Sequence, residues 1–135
     1  MIKNHYPGKF IVFEGIDGAG KGTQSNLLFN FLKNKNVQVK KFQYPEYEGP
    51  IGKLIKDFLY KKYELSADTQ FLLYFADFLK DSQKIKDYLK AGKIVICDRY
   101  LNSALAYQGL RGFPVENALK IAEIFGIPRP DLVIY

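Results

Sequence analysis

The run Phe10-Ile11-Val12-Phe13 is apolar without a break and leads, across Glu14, into Gly15-Ile16-Asp17-Gly18-Ala19-Gly20-Lys21-Gly22-Thr23. An apolar run of this length reads as a strand covered on both faces, as in a parallel sheet. Past the glycines, Leu27, Leu28, Phe31 and Leu32 recur at helical spacing until Asn34 and Asn36, which can end a helix. A glycine-rich turn with a terminal lysine, set between a strand and a helix, is a phosphate loop. The chemistry is local: glycines admit positive backbone angles, successive N–H groups turn inward around an anion, and the helix start adds partial positive charge. Gly15, Gly18, Ala19, Gly20 and Gly22 are the loop candidates, with Lys21 reaching the outer phosphates.

The remaining chain alternates in the same way. Val37 to Gln43 reads as a second strand. Pro50 suits a first helical turn, and Ile51, Leu54, Ile55, Phe58 and Leu59 carry a second helix to about Lys61. Ser66 is a candidate N-cap with Asp68 in the first turn, and Phe71, Leu72, Phe75, Phe78, Leu79, Ile85 and Leu89 predict one long third helix ending at Gly92. Ile94 to Cys97 is another buried-strand run, Pro114 to Phe125 another helix closed by Gly126, and Leu132 to Ile134 a last strand. Such alternation implies a three-layer α/β fold, a parallel sheet flanked by helices with right-handed crossovers and ligands at the carboxyl ends of the strands. No linker or repeat divides the chain, so residues 1–135 read as a single domain.

Composition narrows the partners. The formal net charge of +6 would attract nucleic acid, an anionic membrane surface or small anions alike. The lysines are scattered between Lys33 and Lys93 without a dense block, which argues against nucleic acid, and no apolar run is long enough for a membrane span. Met1 to Gly8 lacks the basic and apolar segments of a secretory signal, so the expected location is cytoplasmic. Cys97, the one cysteine, lies in an apolar run and reads as core; His5 stands alone and is assigned no role.

Asp98, Arg99 and Tyr100 follow the buried run Ile94–Cys97, at the carboxyl end of a central strand. A carboxylate there can hold magnesium or its waters, and a guanidinium suits a phosphate through paired charged hydrogen bonds. The alternative for Asp98 and Arg99 is a capping pair at the next helix start.

Several segments in order resemble the thymidylate kinases: Phe-Glu-Gly-Ile-Asp-Gly-Ala-Gly-Lys from Phe13, Tyr-Pro-Glu-Tyr from Tyr44, Pro-Ile-Gly from Pro50, Asp-Arg-Tyr from Asp98, Ala-Tyr-Gln-Gly from Ala106 and Pro-Asp-Leu-Val-Ile-Tyr from Pro130. They span nearly the whole chain. The resemblance implies ATP-dependent phosphorylation of a deoxynucleoside monophosphate, dTMP to dTDP, with Mg2+, in a P-loop kinase fold and commonly a homodimer. It places Asp17 near the acceptor phosphate, with Tyr47 and Arg99 holding it and Lys21, Asp17 and Arg99 as the catalytic set. Tyr74 matches the aromatic that stacks on the base and Tyr107 the one beneath the sugar, while Ser103 and Gln108 line the acceptor pocket. The Gly-Lys-Gly-Thr-Gln segment is also similar to the adenylate kinase loop, which makes Thr23, with Asp98, the candidate for magnesium.

Two departures from the family pattern stand out. Where the third helix usually carries Ala-Asp-Arg, whose arginine reads the thymine edge, this chain has Ala76-Asp77-Phe78, with Lys80, Gln83 or Lys84 as possible substitutes. The phosphate loop offers no arginine, which by the resemblance puts that residue in a lid after Tyr135, and the chain is expected to stop before the lid and the last of five core strands. Another base preference, or a nucleotide-binding module without catalysis, are the alternative functions.

Overall fold

The structure is a computed structural model and describes residues 1–62 and 64–135. Four strands form one parallel sheet: β1 (Lys9–Phe13), β2 (Val39–Gln43), β3 (Ile94–Asp98) and β4 (Leu132–Ile134), in the order β2-β3-β1-β4. The helices between them are α1 (Lys21–Asn34), α2 (Pro50–Leu59), α3 (Ala67–Leu79), α4 (Ser82–Lys90), α5 (Leu101–Gly109) and α6 (Val115–Phe125). In the sheet, Phe13 stands beside Asp98 and Ile134, and Gln43 beside Asp98. The carboxyl ends of β1, β2 and β3 are therefore level, and the loops that leave them share one rim.

One core cluster joins alternate residues of β1 and β3, Phe10, Val12, Val95 and Cys97, to Phe71, Phe75, Phe78, Ile85, Leu89, Tyr100 and Leu101 from the helical side. Its centre is aromatic. Phe71 stacks on Phe113 at 4.3 Å between ring centroids, Phe78 packs against Phe75 at 5.2 Å and against Tyr100 at 5.0 Å, and Tyr100 meets Phe10 edge-on at 5.2 Å. Each such pair contributes about 1 kcal/mol beyond the area it buries. Cys97 is fully buried, as its apolar run predicts.

The single long third helix is corrected: it is two helices, α3 and α4, with Lys80 and Asp81 between them. Ser66 does cap α3, accepting the Thr69 N–H. The break has a tertiary cause. The Lys80 ammonium bonds Asp81 at 2.9 Å and Glu46 at 2.6 Å, and the Asp81 carboxylate also accepts the Tyr44 hydroxyl at 2.8 Å. The buried positions nevertheless run Phe71, Phe75, Phe78, Ser82, Ile85, Leu89, in steps of three and four throughout. A short interruption that preserves the apolar period leaves no mark on the pattern. Helix α5, which follows Arg99 and Tyr100 directly, is the other element that the apolar pattern does not announce.

Candidate functional site

The phosphate loop takes its shape from its glycines. Gly15, Gly18 and Gly20 have φ of 145°, 79° and 88°, angles that side chains with a Cβ resist. Gly20 is the left-handed N-cap of α1 and offers no side-chain oxygen, so the first N–H groups of the helix stay open to an anion. Lys21 Nζ folds back to donate to the Ile16 carbonyl at 2.6 Å. A polar recess of about 370 Å³ is lined by Asp17, Gly18, Gly20, Lys21, Gly22, Thr23, Asp98 and Arg99, with Tyr44, Pro45 and Tyr47 on the far wall. Ala19 instead faces an apolar groove shared with Leu27, Leu28, Ile134 and Tyr135.

Asp98 ends β3, nearly buried, with its carboxylate beside the Gly22 backbone. Arg99 follows in the left-handed region at φ 68°, its N–H donating to the Phe13 carbonyl at 2.8 Å. That turn carries its guanidinium to Asp17, with which it pairs, and places its Cζ 5.6 Å from the Tyr107 ring centroid. The capping-pair alternative does not describe it, since α5 has Tyr100 as N-cap and no side-chain cap bond. Glu14, 3% exposed, holds the turn from beneath: one oxygen accepts the Tyr100 N–H at 2.9 Å and the other the Ser103 hydroxyl. Burial raises its pKa above the ordinary carboxylate value, against the lowering effects of the Ser103 and Tyr100 hydrogen bonds and of Arg99.

On the other side of Asp17 and Arg99 lies a second, less polar cavity of about 200 Å³. Tyr47, Tyr74, Phe78, Ser103, Tyr107 and Gln108 all line it, so every acceptor-pocket residue read from the sequence converges on one cavity. Burial pushes the Tyr74 and Tyr47 phenols up, which keeps both as neutral donors. The Ser103 hydroxyl is turned toward Glu14. Phe78 is 2% exposed and enters the wall as part of the aromatic core. None of the substitutes foreseen for the missing arginine reaches the cavity: Lys80 is bound to Glu46, Asp77 and Asp81, Gln83 donates to Asp87 at 2.9 Å, and Lys84 lines a different recess with Asp81.

The loop after β2 forms the wall common to both recesses. It contains a cis Tyr44–Pro45 bond, and buried Asp77 accepts the Glu46 N–H at 2.8 Å. The other Asp77 oxygen lies 3.2 Å from Lys80 Nζ, in ion-pair rather than hydrogen-bond geometry. Gly52 of α2 packs against the Glu46 carbonyl so closely that no Cβ fits there. Three residues of this site have no role that the sequence announces: Glu14, which stands within the segment from Phe13 but between the strand and the glycines, and Gln70 and Arg111, which join at 2.8 Å although far apart in the chain.

A parallel α/β sheet with a glycine-rich loop between β1 and α1, and a second cavity opening beside that loop at the strand ends, places the chain among α/β proteins of the strand–glycine loop–helix type, with two adjoining recesses. The chain belongs to the thymidylate kinase family, whose sequence model, described as Thymidylate kinase, matches residues 13–135. It is 40% identical to the thymidylate kinase of Plasmodium falciparum over 141 aligned positions, covering 100% of this chain and 64% of that protein. It is likewise 40% identical to the thymidylate kinase of Desulfotalea psychrophila, covering 95% of this chain and 62% of that one. Among solved structures, thymidylate kinase from Ehrlichia chaffeensis superposes with a TM-score of 0.81 at 33% identity, over 93% of this chain and 69% of its own. The chain thus spans less than two thirds of the length of these curated relatives.

Proposed function

We propose that this chain carries the phosphate loop and the acceptor site of a thymidylate kinase, transferring the terminal phosphoryl group of ATP to dTMP. The observation that carries this reading is that the two recesses share Asp17, Arg99, Tyr44, Pro45 and Tyr47 as a common wall. Ligands in the two sites meet at that wall, which is the arrangement an in-line displacement between two phosphates needs.

In this reading the loop glycines and Lys21 hold the donor phosphates. Arg99 and Tyr47 hold the acceptor phosphate, and Asp17, which pairs with Arg99 in the free protein, fixes the guanidinium until the acceptor arrives. Tyr74 stacks on the base, and Tyr107 lies beneath the sugar. The chain does little covalent chemistry; it positions the groups and neutralises their charge. Asp98 and Thr23 are hard oxygen donors on the edge of the donor recess, and no cluster of three or more acidic, histidine or cysteine side chains occurs among the described residues. That donor set fits a magnesium ion carried in largely by nucleotide phosphates. When bound, it would neutralise charge on the transferring group.

A homodimer through the outer faces of α2 and α3, where Leu72 is exposed, and a cytoplasmic location complete the proposal. A preference for another base is the second reading, favoured by Phe78. The test is ATP- and magnesium-dependent conversion of dTMP against dUMP, dCMP, dGMP and AMP, with Lys21→Met as the control. Dominant dTMP turnover, lowered at least about a hundredfold by K21M, is expected. A faster alternative acceptor would move the substrate, and acceptor binding without turnover by the full-length protein would leave a binding module.

A further inference from the structure

Lys80, which does not reach the acceptor cavity, is occupied in the join between α3 and α4. Its ammonium meets three carboxylates there: Glu46 at 2.6 Å, Asp81 at 2.9 Å and Asp77 at 3.2 Å. It also donates to the Asp77 carbonyl at 2.8 Å and lies 5.2 Å from the Tyr44 ring centroid. Burial disfavours the charge, but the bonds to Glu46, Asp81 and Asp77 outweigh it and hold the lysine above its ordinary pKa, so the ammonium stays charged. Two of the three carboxylates belong to the helical join, and the third, Glu46, belongs to the loop after β2.

That loop depends on the same join. Its Tyr44 N–H donates to the Asp98 carbonyl at 3.0 Å. Among the described residues, every other hydrogen bond or ion pair from Tyr44–Tyr47 to a neighbouring element ends on Asp77, Lys80 or Asp81. The loop also alternates: Pro45 and Tyr47 line both recesses, whereas Glu46, between them, lines neither, and nor does Lys80. The ammonium is thus one residue away from Tyr47 along the chain of contacts while staying outside both recesses. Without it, Asp77, which is fully buried, would stand beside Glu46 and Asp81 with no cation to offset them, and repulsion would drive the loop off the join.

We propose that Lys80 is a positioning residue for the acceptor: through Glu46 it fixes the loop after β2 in the place from which the Tyr47 hydroxyl reaches the acceptor phosphate. The inference rests on the acceptor-site reading given above. Lys80 touches no ligand. It acts by holding a side chain whose displacement by about 1 Å can cost on the order of a hundredfold in a positioned reaction.

The test is calorimetric binding of dTMP to the full-length protein and to Lys80→Met and Glu46→Ala, each made in the wild-type and in the Tyr47→Phe background, with urea denaturation of every variant alongside. K80M is expected to weaken dTMP binding about tenfold and E46A, which leaves Asp77 paired with Lys80, about three- to fivefold. In Y47F both losses should shrink to less than about twofold, since residues that act through one another are not additive. E46A is the decisive variant if K80M does not fold. An E46A affinity within twofold of wild type would overturn the assignment. Losses that persist undiminished in Y47F would overturn it too, by placing the effect of the ion cluster on the fold at large rather than on Tyr47. Wild-type affinity in Y47F itself would remove Tyr47 from the phosphate and the positioning role with it, leaving the acceptor site standing; a wild-type protein that binds no dTMP would bring down the acceptor-site reading and this inference together.

Discussion

Arg99 holds a φ of 68° although its side chain has a Cβ, a conformation that costs roughly 1 kcal/mol for any residue but glycine. The surroundings impose it: the Arg99 N–H bonds Phe13 and the next N–H bonds Glu14, so the chain turns sharply from β3 into α5. Arg99→Gly should therefore keep or raise the unfolding free energy, by up to about 1 kcal/mol, while acceptor binding falls at least about tenfold. Parallel urea denaturation and dTMP titration would check both halves. Glu14 beneath the turn makes a second prediction. Its folded pKa is raised, so as pH climbs above the ordinary glutamate range the unfolded chain gives up its proton first, and stability falls with pH. Glu14→Gln should remove that fall, seen as a flatter difference between denaturation midpoints at pH 5 and pH 8. At this scale the glycines, Lys21, Asp98 and Arg99 were readable because backbone freedom and fixed charge are properties of residue type. Glu14, Gln70 and Arg111 were not, because their roles come from contacts between distant parts of the chain, such as Arg111 with Gln70.

Among the elements, the inner strands β1 and β3 are the most legible, since a strand covered on both faces is apolar along most of its length. The join of α3 to α4 is the least. Lys80 and Asp81 would look unremarkable on the outer face of a continuous helix, and only Tyr44 and Glu46, brought in by the loop after β2, explain why the helix stops. The same loop sets the most sensitive contact between elements. Because Gly52 of α2 lies directly against the Glu46 carbonyl, Gly52→Ala must push the helix away from the loop that carries Tyr47. A loss of about 1–3 kcal/mol is expected, as for other over-packed sites, together with weakened acceptor binding from the shift of Tyr47. Thermal melting compared with dTMP affinity would show both effects; a variant that melts as wild type would mean the loop yields freely.

Over the whole molecule, the positive balance of +6 acts on any phosphate ligand before contact is made. Affinity for dTMP should fall several-fold between 50 and 500 mM salt, as the Debye length shrinks, while affinity for the uncharged nucleoside stays level. Salt-independent binding of dTMP would mean that only the buried contacts matter. Helix α5 has a consequence of its own at this scale. It carries Ser103, Tyr107 and Gln108 along one side of the less polar cavity, and at about 1.5 Å of rise per residue the helix itself sets the spacing of these wall side chains. A turn added between Ser103 and Tyr107 would move these two apart along the wall, so the shape of the cavity belongs as much to the backbone of one short helix as to the side chains it carries.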